Sequence, residues 1–288
     1  MLKDKISNGA DNFCGLAEEF SSYGKSKIVI LPVPFDKTTS WLKGSDKGPE
    51  AIIEASQNME LYDIETDSQV YKMGIFTEKA VIAKDSVSML NQTYKKVRSF
   101  LKDKKFVVTV GGEHSISMAP IKAHFEFSPD MSILHLDAHS DRRDTYEGSK
   151  YNHACVMARA REITDKIISV GIRSMDSSEL KNIDRNKMFY ASEIFKSKGW
   201  IRKVTNKLSK NVYVSIDLDV FDPSIMPSTG TPEPGGLNWE QVTDLLEMVS
   251  SKRNIVGTDV VELCPSTNKA PDFLAAKLIY KLLSYKFS

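Results

Sequence analysis

The chain has 288 residues, 41% hydrophobic and 27% charged, with 39 Lys plus Arg against 38 Asp plus Glu and a formal net charge of +1. That is enough apolar material for one large core, and the even charge balance argues against nucleic acid or a membrane surface as partner. Cys14, Cys155 and Cys264 are widely spaced and form no CxxC pair; with no signal-peptide core and no membrane-length apolar run, the expected location is the cytoplasm.

Residues 1–26 read as irregular or helical surface. Residues 27–33 (KIVILPV) have the composition of a buried strand and lead into a turn-rich loop with Gly44, Gly48 and Pro49. Pro49 suits the first turn of a helix reaching about Ser56. A short strand is expected somewhere between Glu60 and Val70. Over 83–102, Val87, Leu90, Tyr94, Val97 and Leu101 recur every three or four positions, the spacing of an amphipathic helix. Residues 106–110 (FVVTV) form a buried strand that runs into Gly111-Gly112-Glu113-His114-Ser115. Paired glycines allow a tight turn and close backbone approach, and a helix toward His124 starts at Ser115 or a neighbour.

The apolar run 132–136 (SILHL) ends in Asp137, His139 and Asp141, set two residues apart. While the backbone stays extended, such residues point the same way. Three N/O ligands would then converge at the carboxyl end of a central strand, where open α/β sheets bind ligands. After a loop over 142–152, His153 opens a helix carrying Val156, Met157 and Ala160. Strands at 167–170 and, more weakly, 189–191 precede a helix at 200–208. In 212–219 (VYVSIDLD) the alternation places Ser215, Asp217 and Asp219 on one side. Two acidic residues closing a buried strand are costly unless a cation or hydrogen bonds satisfy them. A Pro- and Gly-rich segment long enough to line a pocket follows. A helix at 237–249, a strand at 255–263 with Asp259 inside it and Glu262 at its end, and a helix at 272–283 close the chain. This alternation predicts one domain over residues 1–288, with a largely parallel sheet covered on both faces.

His114, Asp137, His139, Asp141, Asp217 and Asp219 thus fall at strand ends. Four carboxylates and two imidazoles exceed the roughly four ligands of a zinc site. They suit manganese, iron or nickel, and two metals about 3.5 Å apart would use all six. The competing reading is an acidic rim satisfied by helix N-termini.

The motifs GGEHS (111–115), DAHSD (137–141), SIDLDVFDP (215–223) and STGTPEPGG (228–236) resemble those of the ureohydrolases, the arginase and agmatinase group of binuclear manganese hydrolases. The resemblance runs from about Pro32 to the C-terminal helix. It implies a three-layer αβα sandwich around an eight-stranded, mainly parallel sheet, of the arginase/deacetylase type, assembled as trimers or hexamers. It also implies two Mn2+ per chain, with His114 and Asp141 on one, His139 and Asp219 on the other, and Asp137 and Asp217 bridging. A metal-bridging hydroxide would attack the guanidinium carbon, with Asp141 accepting its hydrogen bond. His153 would assist proton transfer, and Glu262 would pair with the guanidinium, whose planar charge a carboxylate matches.

Within that family the segment 146–153 (YEGSKYNH) and TGTPEPGG are closer to agmatinases, and the segment by which arginases grip a carboxylate is absent. Ser228 in place of glycine, and 264–267 (CPST) in place of Ser-Pro-Pro-Tyr, depart from the pattern. Asp144 and Glu147 are the acidic candidates for an amine terminus. The expected reaction is hydrolysis of agmatine to putrescine and urea, in polyamine synthesis. Guanidinobutyrate, aminopropylagmatine and arginine are the rival substrates; an inactive binding homologue and a metal-dependent deacylase are the alternatives of other classes. Cys155 and Cys264 read as small hydrophobes rather than nucleophiles.

Overall fold

The computed structural model describes residues 12–288. Eight segments pair as strands: β1 (Ile28–Val33), β2 (Ile75–Thr77), β3 (Phe106–Gly111), β4 (Ser132–Leu136), β5 (Ile167–Ile172), β6 (Met188–Tyr190), β7 (Asn211–Asp217) and β8 (Asn254–Val261). Their order is β2-β1-β3-β8-β7-β4-β5-β6, with every neighbouring pair parallel. Strands covered on both faces need apolar residues at successive positions rather than alternate ones. Accordingly, β1 (IVILPV) and β3 (FVVTVG) are buried throughout.

Parallel neighbours require crossovers, and helices supply them. Besides the one-turn helices α1 (Glu18–Ser21) and α6 (Ala191–Ile194), there are α2 (Gly48–Ser56), α3 (Ser86–Lys102), α4 (Met118–Phe127), α5 (Val156–Arg161), α7 (Trp200–Lys207), α8 (Trp239–Lys252) and α9 (Ala270–Phe287). Helices α2, α9, α8 and α7 pack in a row on one face, and α3, α4 and α5 on the other. The result is a three-layer α/β sandwich. Cap chemistry sets several starts: Asp85 accepts from the Ser88 amide at 2.7 Å before α3, and Asn238 with Gln241 forms a reciprocal box at α8. No helix among the described residues is long and apolar enough to cross a membrane.

The crossover from β3 to β4 skips two places, which β7 and β8 fill late in the chain. Four segments distant in sequence therefore end side by side at the carboxyl edge of the sheet centre.

Some elements differ from the sequence expectation. No strand forms between residues 60 and 70. Asp63 instead accepts from the Thr66 amide and hydroxyl at 3.0 Å each, closing a tight turn bridged from Asp63 to Ser68. Ile64 is exposed there, so the segment has no apolar face to bury. The strand in this region is β2, three residues long and too short to show a period. Residues 12–16 are not surface either, because Phe13, Cys14 and Leu16 are buried in the main core; residues 1–11 of that expectation lie outside the described residues. Finally, β4 stops at Leu136 and β7 at Asp217, and Asp219 lies in the 3-10 turn Leu218–Val220.

Candidate metal centre and active site

Because β4 stops at Leu136, its polar residues do not converge along a continued strand. Asp141 takes a φ of 52°, a left-handed conformation uncommon outside glycine. Its Oδ2 nevertheless comes within 3.1 Å of His114 Nδ1, beside Asp137 Oδ2 at 3.2 Å and Asp217 Oδ2 at 3.4 Å. On the other side of Asp137, His139 Nδ1 lies 3.7 Å from Asp137 Oδ1 and 2.8 Å from Asp219 Oδ2. The six residues singled out at strand ends are thus brought together, with Asp137 between the two imidazoles.

Four carboxylates share this space, all buried. His114 Nδ1, buried among three of them, has no partner in hydrogen-bond geometry. Such crowding of like charge is costly without a cation, and the N/O donor set suits a divalent ion. The residues fit a metal centre. Electrostatics report the same conflict. Burial opposes charge on His114, but Asp137, Asp141 and Asp217 together outweigh it and raise its pKa well above the usual imidazole range. Burial, then Asp219 and Asp137, push Asp217 well above the carboxylate range. Asp137 goes the other way, because His135, His114 and His139 overcome its desolvation.

Behind the six lies a supporting shell. His135, fully buried on β4, places Nε2 2.7 Å from Asp137 Oδ2 and Nδ1 3.1 Å from Ser169 Oγ. Ser215 Oγ lies 3.1 Å from His114 Nε2 and donates to Asp259 Oδ1 at 2.8 Å. Tyr213 donates to the other oxygen of Asp259 at 2.7 Å. Backbone amides of Ala138 and Asp219 donate to Asp219 Oδ1 and Asp217 Oδ1, at 2.9 Å each. His135 had a signal in the sequence, since it precedes Asp137 and His139 at the same two-residue spacing.

The cluster floors a cavity of about 290 Å³ whose walls include His153 and Glu262. Glu262 also has a positive φ, 68°, and its Oε1 accepts from the His114 amide at 2.6 Å. Arg143, Tyr146, Asp176 and Glu179 line the cavity as well. Asp144 and Glu147 do not. Asp144 is exposed and paired with Lys181 at 2.8 Å, and Glu147 is exposed at a turn. The acidic groups on the wall come instead from the segment after β5, which sequence reasoning passed over because Asp176 and Glu179 belong to no ligand-like run. Ser228 and Cys264 do not line the cavity either. Ser228 sits 3.2 Å from Ser266, so one departure from the family pattern pairs with the other. Burial pushes the Cys155 thiol up to about 11 and the Cys264 thiol up to about 12, leaving little thiolate at neutral pH.

Fold and site together define an α/β protein with a carboxylate–imidazole cation site at the carboxyl edge of a parallel sheet. The arginase family model matches residues 26–284. The chain is 37% identical to the N(1)-aminopropylagmatine ureohydrolase of Thermus thermophilus, over 93% of each chain. It is 33% identical to the agmatinase of Pyrococcus horikoshii, over 88% of this chain and 90% of that one. The solved agmatine ureohydrolase of Thermoplasma volcanium superposes with a TM-score of 0.85 at 33% identity, covering 96% and 94% of the two chains. The chain belongs to the arginase family of ureohydrolases, and it is a hydrolase.

Proposed function

We propose that this chain, acting as a single catalytic domain in the cytoplasm, releases urea from a guanidine at the end of an aliphatic amine, with agmatine as substrate and putrescine as co-product. The observation that carries the reading is the charge of the cavity wall. Arg143 is the one Arg or Lys lining it among the described residues, and it lies 3.7 Å from Asp176 and 3.8 Å from Glu179, so its charge is already engaged. Arg142 is buried and donates to Ser169 and Asn182. A carboxylate-ended substrate such as arginine or guanidinobutyrate would find no free cation, whereas an amine end meets Asp176.

N(1)-aminopropylagmatine is the second reading. Relatives bearing that name reach 37% identity, against 34% for those named agmatinase. Its extra amine suits the same acidic wall.

His114, Asp137, His139, Asp141, Asp217 and Asp219 would hold two Mn2+, with Asp137 and Asp217 shared. Such a pair, when bound, supplies an activated water at neutral pH. Glu262 orients the guanidinium, Asp141 accepts a hydrogen bond from the nucleophile, and His153 moves a proton for the departing amine. Assembly as a trimer or hexamer belongs to the same reading.

The test is kcat/KM with Mn2+ for agmatine, N(1)-aminopropylagmatine, guanidinobutyrate and arginine. The amine-ended pair should lead by more than tenfold, about 1.4 kcal/mol of transition-state binding. A tenfold lead for guanidinobutyrate or arginine overturns the substrate. Turnover of none of them would favour an inactive homologue, and amide hydrolysis without urea a deacylase.

A further inference from the structure

Two residues outside the metal cluster converge on His153. Glu113 is fully buried, and its carboxylate accepts from every side. Oε2 takes the backbone amides of Lys37 and Thr38 at 2.6 and 2.5 Å, while Oε1 takes the hydroxyls of Thr38, at 2.6 Å, and Ser115. Thr38 Oγ1 in turn lies 3.0 Å from the His153 amide and 3.2 Å from His153 Nδ1.

A hydroxyl has one proton and two lone pairs. The Thr38 proton is directed to Glu113, whose two oxygens receive only donors, so Oγ1 can only accept from His153. The backbone amide fills one lone pair and an Nδ1–H fills the other. From this we infer that Thr38, held by Glu113, is a positioning residue that locks His153 in the Nδ1–H tautomer and leaves Nε2 as its proton-exchanging nitrogen in the cavity. The lock is compatible with both charge states. When Nε2 takes a proton the imidazolium still donates through Nδ1–H, and when Nε2 gives that proton to the departing amine the starting tautomer returns. Tyr146 packs edge-on against the ring, with centroids 5.9 Å apart, and limits its rotation. The role of the pair in turnover rests on His153 handling a proton as proposed above; the tautomer does not.

The chain has five histidines, so His153 can be assigned in 15N-histidine-labelled, Mg2+-loaded protein from the resonance lost in His153→Asn. Long-range 1H–15N correlation should show Nδ1–H in the wild type and in Thr38→Ser. Thr38→Val should shift the ring toward Nε2–H. With Mn2+, Thr38→Val should lower kcat at least about tenfold with KM within threefold, and Thr38→Ser should stay within threefold of wild type. An Nε2–H tautomer in the wild type overturns the inference whatever the variants do. So does wild-type kcat in a Thr38→Val protein. If no guanidino compound turns over, the functional reading fails while the wild-type spectrum still decides the tautomer.

Discussion

Asp217 sits where burial, Asp219, Asp137 and Glu262 oppose its charge, while His114, 3.4 Å away, favours it. A cation resolves the conflict by replacing the shared protons. Asp217→Asn should therefore act in opposite directions in the two forms of the protein. The metal-free variant should melt higher than metal-free wild type, by roughly 2 °C or more, while the Mn2+-supplied variant should lose bound metal and urea release. Calorimetry with elemental analysis reads both. An active wild type holding one tight zinc and no second ion would contradict the two-metal proposal at its root. The backbone tells a similar story at Asp141 and Glu262, whose positive φ values place strain at the site.

Among the elements, the segment after β5 does more than supply Asp176 and Glu179. Arg173 donates from Nη2 to the carbonyls of Asp219 at 2.6 Å and Glu233 at 2.8 Å, and from Nη1 to that of Gly171 at 3.1 Å. One planar fork thus ties the turn carrying Asp219 to the Pro- and Gly-rich loop. Lysine has the charge without the fork. Arg173→Lys should leave carbonyls unsatisfied, lowering stability by about 2 kcal/mol and weakening metal binding about tenfold or more. Denaturant unfolding and a metal titration measure the two effects, and an unchanged metal affinity would show the clamp to be structural alone. At the β3 turn, a Cβ on Gly112 would come 2.1 Å from the Phe35 carbonyl oxygen. Gly112 thus serves close approach of two backbones, whereas a Cβ on Gly111 would meet the side chains of Ile116 and Val261.

For the molecule as a whole, folding stability carries a titration outside the active site. Burial pushes His124, on α4, down to about 4 from 6.5, against a 2.8 Å contact of Nδ1 with the Pro120 carbonyl that favours charge. Its Nε2 is buried without a partner, tight against Gly257. The folded pKa is the lower one, so the contribution is complete above about pH 6.5 and is lost as pH falls toward 4. Integrated over that window it amounts to about 3 kcal/mol. The stability difference between wild type and His124→Leu should shrink by this order between pH 7 and pH 4; a difference independent of pH would show that His124 does not titrate with unfolding.

Much of this was legible in the sequence for local reasons. Buried parallel strands must be apolar throughout, so β1, β3, β4, β7 and β8 stand out, and polar residues at their carboxyl ends are conspicuous because burial makes them costly. The six candidate ligands and Glu262 stand out in that way, whereas His153 opens a helix after a loop and only the resemblance to the ureohydrolases marks it. Tertiary structure alone decided the rest. The order that sets β8 and β7 between β3 and β4 is a property of crossovers, not of any segment. It brings Glu113, Thr38 and His153 together from three separate loops, and it puts Asp176 rather than Asp144 or Glu147 on the cavity wall. An exposed acid and a cavity acid have the same composition in sequence. Only the path of the backbone between distant segments determines which one a substrate meets.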